Sequence, residues 1–175
     1  MKLNGIETWA DPIKDVDRLT EIGELGLTEL SDDPELQALA ASAAAAFNLP
    51  IGVVSIVLDE SQYFIARTGV DGWVGEADGT PVEWSFCRNV VRSGSDFVVE
   101  DAKVHPVMKE SPLVELEGLA CYAGTPMVSS NGHVLGSFCV KGKEVRSFSE
   151  DEMVLLREYA ARAVRLIEGR RRDVA

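Results

Sequence analysis

The chain is poor in the residues that staple or metallate a domain. It has three cysteines, Cys87, Cys121 and Cys139, with no C-x-x-C pair among them, which excludes a zinc ribbon and a thioredoxin-type motif. Neither of its two histidines, His105 and His133, stands three to five residues from another histidine or cysteine. No metal site is therefore expected, and the thiols are expected to be reduced and mostly buried. Cationic residues are also scarce: 17 Lys and Arg face 29 Asp and Glu, a net charge of −12. Such a surface repels a polyanion, so no nucleic-acid partner is expected. The one basic cluster, Arg170-Arg171-Arg172, suits a helix C-terminus. No apolar run reaches the ~20 residues of a membrane-spanning helix; the longest, Leu49 to Leu58, contains Pro50 and Gly52. The first nine residues hold no apolar signal core, and the expected location is cytoplasmic, with no membrane partner.

The chain does have enough apolar residues, 46% of 175, to build a core for one ordinary domain. Residues 1–12 carry no periodic pattern, and 1–16 read as an N-terminal arm. Val16, Leu19, Ile22, Leu25 and Leu30 then recur at helical spacing. Asp33-Pro34 restarts a helix, with Asp33 as N-cap and Pro34 at the first helical position, and Asn48-Leu49-Pro50 ends it. Ile51 to Leu58 is apolar on both faces and reads as a central strand, and Ser61 to Arg67 returns beside it. Thr68 to Glu83, with four glycines and Pro81, is expected to be a long loop of the kind that carries function.

Ser85 caps a short helix through Arg92, Phe97-Val98-Val99 is a short strand, and Asp101 to Gly118 is a second irregular stretch. Leu119 to Val128 and Val134 to Val140 form a hairpin across Asn131-Gly132, expected as a type I′ turn. That register sets Gly124 opposite Cys139 and Cys121 opposite residue 142. Cys121 and Cys139 then face opposite sides of the sheet and are not placed to bridge. The last helix opens on a capping box, Ser149 with Glu152. It carries two apolar stripes, one for the sheet and one for a partner helix or a second copy. Met153, Leu156, Ala160, Ala163 and Ile167 are assigned to a homodimer contact through the terminal helices. The domain is expected over 17–168, with a basic C-terminal tail over 169–175.

This order predicts an α+β (α/β) fold. A central antiparallel sheet of five to six strands carries the terminal helices on one face; loops and short helices roof the other. A sheet roofed by irregular chain encloses a cavity suited to a small ligand.

Five segments together resemble the GAF domain family: Trp84-Ser-Phe-Cys87, Val98-Val-Glu-Asp-Ala102, Tyr122-Ala-Gly-Thr-Pro-Met127, Asn131 to Val140, and Arg146-Ser-Phe-Ser149. The resemblance covers about residues 17–168. It implies a PAS-like sensor fold, a helical face that often dimerises, and a ligand pocket under the loops of the opposite face. The family's branches differ in chemistry. The Asn-Lys-x-Phe-Asp-Glu signature of cyclic-nucleotide binders is absent, and no cysteine here is followed by the histidine typical of bilin attachment. His105 is the one candidate haem ligand. The free methionine-(R)-sulfoxide reductase branch has a cysteine where Cys87 lies. Its catalytic cysteine is expected near Met108 to Leu113, where this chain has no thiol.

The expectation is therefore a non-catalytic GAF-type signalling domain with no cofactor. It would bind an unidentified small molecule or transduce through dimerisation, acting on an effector protein. The alternative is a thiol-based redox sensor, or a reductase-like enzyme, using Cys87. Candidate pocket residues are Phe64, Trp84, Phe86, Cys87, Asp101 and Tyr122. The aromatic side chains either line the cavity or fill it. Cys87 is either an activated thiol near a helix N-terminus or a small core residue. Asp101 caps a turn.

Overall fold

A computed structural model describes residues 2–3, 6–7 and 11–174. Six strands form one antiparallel sheet: β1 (Ile51–Val57), β2 (Ser61–Thr68), β3 (Gly79–Pro81), β4 (Phe97–Val99), β5 (Cys121–Val128) and β6 (Val134–Gly142). Their order across the sheet is β3-β2-β1-β6-β5-β4, so β1 and β6 are central. β1 is buried along its whole length, as a strand apolar on both faces must be.

Three helices cover one face: α1 (Val16–Glu24), α2 (Pro34–Ala46) and α6 (Glu150–Val174). Their apolar sides meet Val54, Ile56, Ala123, Phe138 and Val140 of the sheet. The opposite face is covered by short elements, α3 (Gly72–Ala77), α4 (Cys87–Ser93) and α5 (Pro112–Leu116), and the turns between them. Their side chains enclose a second apolar cluster on Ile51, Val53, Phe64, Tyr122 and Cys139. The expected division into a helical face and a roofed face is what the chain forms.

The local signals explain where elements start and stop. Asp33 accepts from the Glu35 and Leu36 amides at 3.0 and 3.1 Å, capping α2 at Pro34. The capping box of α6 is reciprocal: Ser149 Oγ accepts from the Glu152 amide, and Glu152 Oε1 accepts from the Ser149 amide, each at 3.1 Å.

Several expectations are corrected. The first helix does not run to Leu30. It ends at Glu24, because Gly26 takes a left-handed conformation (φ 62°) and a 3-10 turn, Leu27–Glu29, follows. The stretch 68–83 contains α3 and the edge strand β3, and 101–118 contains α5 behind its own serine cap, with Ser111 Oγ 3.4 Å from the Leu113 amide. The hairpin turn is not type I′. Ser129 faces His133 (Ser129 N to His133 O, 2.9 Å) around a three-residue loop in which Gly132 alone has positive φ (85°). A bulge beside Val128 absorbs the extra residue, so the register further along is the expected one: Gly124 faces Cys139 and Cys121 faces Gly142.

Residues 169–174 are not a separate tail, since α6 continues to Val174; Ala175 lies outside the described residues. Arg170 on it bonds Asp33 and Glu35, at 2.8 and 2.6 Å, at the start of α2. Of the expected arm, Lys2–Leu3 pairs with Ile6–Glu7 and Pro12–Lys14 forms a 3-10 turn that buries Ile13; residues 1, 4, 5 and 8–10 lie outside the described residues. The stripe assigned to dimer contact is also relocated. Met153, Leu156, Ala160, Ala163 and Ile167 are all buried within the chain against the sheet and α2. They are the apolar side of an amphipathic helix and are used up by its own domain.

Candidate functional site

The roofed face holds an unusual density of polar atoms for a core. On β6 the alternation of the pleat points Ser137, Cys139 and Lys141 to this side; on β5 it points Tyr122 and Gly124 there. Gly124 lies opposite Cys139, and Tyr122 lies opposite Lys141. The absence of a side chain at Gly124 is what admits the Tyr122 ring. A Cβ at 124 would stand 2.1 Å from the Tyr122 hydroxyl. The hydroxyl lies 3.1 Å from Ser137 Oγ and donates to Cys87 Sγ at 3.3 Å. Phe86 and Phe97 hold the ring, with centroids at 5.2 and 6.0 Å.

Cys87 is the first residue of α4, and its sulfur lies 3.9 Å from Cys139 Sγ; neither residue has exposed surface. Beside them, Gln62 Oε1 accepts from Ser85 Oγ (2.7 Å) and Ser55 Oγ (3.3 Å), while Gln62 Nε2 donates to Thr80 Oγ1 (2.6 Å). This network satisfies the buried amide and fixes the turn that leads into α4, where Ser85 Oγ accepts from the Arg88 amide.

Lys141 is 4% exposed. It makes no ion pair among the described residues, and its Nζ lies 5.4 Å over the Phe64 ring. A buried cation without a carboxylate partner is costly, and here its field acts on the sulfurs. Burial opposes ionisation of Cys87, but contact with Cys139, the Lys141 charge, donation from Tyr122 and the nearby Ser55 outweigh it. The thiol falls below its ordinary value, to about 6. Burial and the neighbouring Cys87 push Cys139 upward, and burial does the same to Tyr122.

Of the residues expected to form a pocket, Phe64, Phe86, Cys87 and Tyr122 come together in this core, with Trp84 half-buried against it. Phe86, Cys87 and Tyr122 fill the space, while Phe64 also borders a small cleft. The cleft that remains, between Ile51, Phe64, Val74, Leu113, Glu117 and Lys141, measures about 10 Å³, room for about one water. Asp101 is not in the cluster; it accepts from the Lys103 amide at 3.1 Å, a local turn cap. His105 Nδ1 likewise accepts from the Val107 and Met108 amides, and the described residues hold no cluster suited to a metal. Cys121 lies on the other side of its strand, and all three cysteines are free. Sequence reasoning missed Ser55, Gln62, Ser85, Ser137, Cys139 and Lys141 as members of this buried cluster. The one available signal was the alternation that sets Ser137, Cys139 and Lys141 on one side of the strand, without saying which side is covered.

A six-stranded antiparallel sheet with helices on one face and short elements over the other is the α+β architecture of a sensor-type domain. The GAF domain model matches residues 31–168, and the chain belongs to the GAF domain family. It is 32% identical over 148 residues to a cyclic di-GMP phosphodiesterase of Pseudomonas aeruginosa, a match that covers 84% of this chain but 24% of that protein. The chain therefore spans about a quarter of the length of that relative. Among solved structures, the GAF domain of a Coxiella burnetii phosphoenolpyruvate-protein phosphotransferase superposes with a TM-score of 0.67 at 17% identity, covering 95% of this chain and 100% of that one. A type II free methionine-R-sulfoxide reductase from Thermoplasma acidophilum superposes with a TM-score of 0.62 at 13% identity, covering 77% and 91%. At these identities the two structures establish the shared fold. Among the described residues, no helix is long and apolar enough to cross a membrane.

Proposed function

We propose that this chain is a non-catalytic, cytosolic regulatory domain. A chemical event on its roofed face is passed through the sheet to α6 and from there to a signalling enzyme. The observation that carries the reading is the position of β6. Cys139 and Lys141 of that strand belong to the roofed face, while Phe138, between Ser137 and Cys139, stacks on Tyr159 of α6 with ring centroids 5.6 Å apart. A shift of β6 is therefore felt on both sides, because close-packed faces move together. The matched relative supports an output in nucleotide second-messenger turnover, performed by a separate catalytic unit. No cofactor, nucleic acid or membrane partner is proposed.

Hydrogen exchange of the wild type and Lys141→Met tests the coupling. Altered protection in Met153–Ile167 is expected. A change confined to the short elements around α4 and α5 refutes transmission. Incubation with cyclic di-GMP and with free methionine-R-sulfoxide is expected to give no turnover; turnover of either overturns the non-catalytic reading.

A second reading is self-association. A groove of about 660 Å³ between α2 and α6, lined by Ala38, Leu39, Ser42, Arg162 and Leu166, favours it. Sedimentation decides: a dimer abolished by Leu166→Glu supports it, and a monomer at high concentration removes it.

A further inference from the structure

We propose that Cys87 and Cys139 are a reversible disulfide switch, closed by hydrogen peroxide and reopened by a dithiol reductant. The inference rests on the regulatory reading above and names the chemical event at that same face. Two sulfurs 3.9 Å apart need approach each other by roughly 2 Å to reach a disulfide bond length. They sit on elements of different character. Cys139 is held in a central strand, paired on both sides. Cys87 opens a seven-residue helix set between short turns, the kind of segment that yields by local opening. The third cysteine, Cys121, is on the other side of β5, so the pairing is specific.

The surroundings suit the chemistry. Lys141 and the Tyr122 hydroxyl stabilise a thiolate on Cys87, and the thiolate is the nucleophile. Its sulfur attacks one peroxide oxygen; the O–O bond breaks, an S–OH bond forms on Cys87, and hydroxide leaves and is protonated to water. The Cys139 sulfur then attacks the Cys87 sulfur. The S–S bond forms, the S–O bond breaks, and the Cys139 proton leaves with the hydroxide as a second water. Two thiols give up two electrons in all, and one peroxide is reduced to two waters. Both sulfurs lack exposed surface, which selects a small neutral oxidant over a bulky one. Closure pulls α4 toward β6 and withdraws Cys87 from Tyr122.

The test treats the intact chain with hydrogen peroxide at neutral pH, blocks free thiols under denaturing conditions, and maps the products by mass spectrometry. The expected product has lost two hydrogens, carries a Cys87–Cys139 crosslinked peptide, keeps Cys121 free, and returns to the starting mass with dithiothreitol. Cys121→Ser is expected to behave as the wild type. Cys139→Ser is expected to stop at one added oxygen on Cys87, trapped by a sulfenic-acid reagent. Tyr122→Phe, which removes a donor to the thiolate, is expected to oxidise about tenfold more slowly.

A crosslink through Cys121 overturns the proposal. So does stable over-oxidation of Cys87 beside a free Cys139, or unchanged mass under conditions that oxidise the unfolded chain. These failures leave the regulatory reading standing, because altered exchange in α6 of Lys141→Met is measured without any oxidant.

Discussion

Replacing Gly124 with alanine tests whether the Tyr122 hydroxyl anchors the roofed face. The new Cβ would stand 2.1 Å from the Tyr122 hydroxyl, 2.6 Å from its Cζ and 2.7 Å from Ser137 Oγ. A comfortable contact is more than 1 Å longer, so the ring must move, yet Phe86 and Phe97 stand against it. Overpacking of this kind costs about 1–3 kcal/mol. Loss of the hydroxyl's contacts to Ser137 and Cys87 adds ~1–2 kcal/mol. Removing a strand glycine returns up to ~1 kcal/mol of backbone entropy. The net expectation is a loss of about 1–5 kcal/mol, or a fall in Tm of roughly 2–20 °C for a chain of this length. In a Tyr122→Phe background the nearest clashing atom is gone, so the same substitution is expected to cost ~1 kcal/mol less. Urea titrations of the four proteins measure both quantities. A loss below ~0.5 kcal/mol, or the same loss in both backgrounds, would falsify the claim that Gly124 exists to seat that hydroxyl.

Leu156→Ala should lose about 2–5 kcal/mol because Leu156 is fully buried. Val154→Ala, two residues away and 45% exposed, should stay within ~0.5 kcal/mol; equal losses would contradict the assignment of α6's inner stripe to the core. Arg18 is buried and donates to the carbonyls of Pro12, Ile13, Val57 and Val134, so Arg18→Met should cost about 3 kcal/mol by orphaning them. Arg18→Lys should recover little of that, since an ammonium cannot span the same fork; full rescue by lysine would show that charge alone matters. Burial raises the Glu21 pKa, but contacts with His133, Ser129 and Asn131 outweigh it and the value is lowered. A depressed carboxylate stabilises fully above its unfolded pKa of ~4.3 and loses that contribution as pH falls through the folded value. The stability gap between wild type and Glu21→Gln should narrow on titration from pH ~6 toward pH ~3, and a gap that widens over that range would show the sign to be wrong.

Much of the fold was legible because its signals are local. Asp33-Pro34, the Ser149–Glu152 box and the burial of Ile51–Val57 on both faces each act within a few residues, and each gave the element it announced. The misreadings came where several local solutions compete. Asn131-Gly132 favours a two-residue I′ turn, yet a three-residue loop with a bulge keeps the same downstream register. That equivalence explains why Gly124 and Cys139 were paired correctly from an incorrect turn. On α6, two stripes compete for the sheet, and spacing alone does not say which wins. The sheet took Met153, Leu156 and Ala160, and drew Tyr159 in as well through Phe138 and a hydrogen bond to Ser42.

The candidate site was legible only in fragments, for a different physical reason. Cys87 stood out as a thiol near a helix start, and Tyr122 as one of the aromatic residues expected to line or fill the cavity. Cys139 and Lys141 acquire meaning only through contacts of long sequence separation: 52 residues between the two cysteines. Nothing in 134–142 distinguishes a polar residue facing solvent from one facing a roof, since the pleat alternates identically in both cases. What separates them is whether other chain covers that side, and the cover here comes from α4, nearly fifty residues earlier in the chain. The sheet's division of labour follows. Adjacent residues of β6 report to opposite faces, so a strand that must hold Phe138 against α6 also fixes Cys139 against Cys87. The proposed change at one sulfur would therefore act on a strand that also packs the helix behind it.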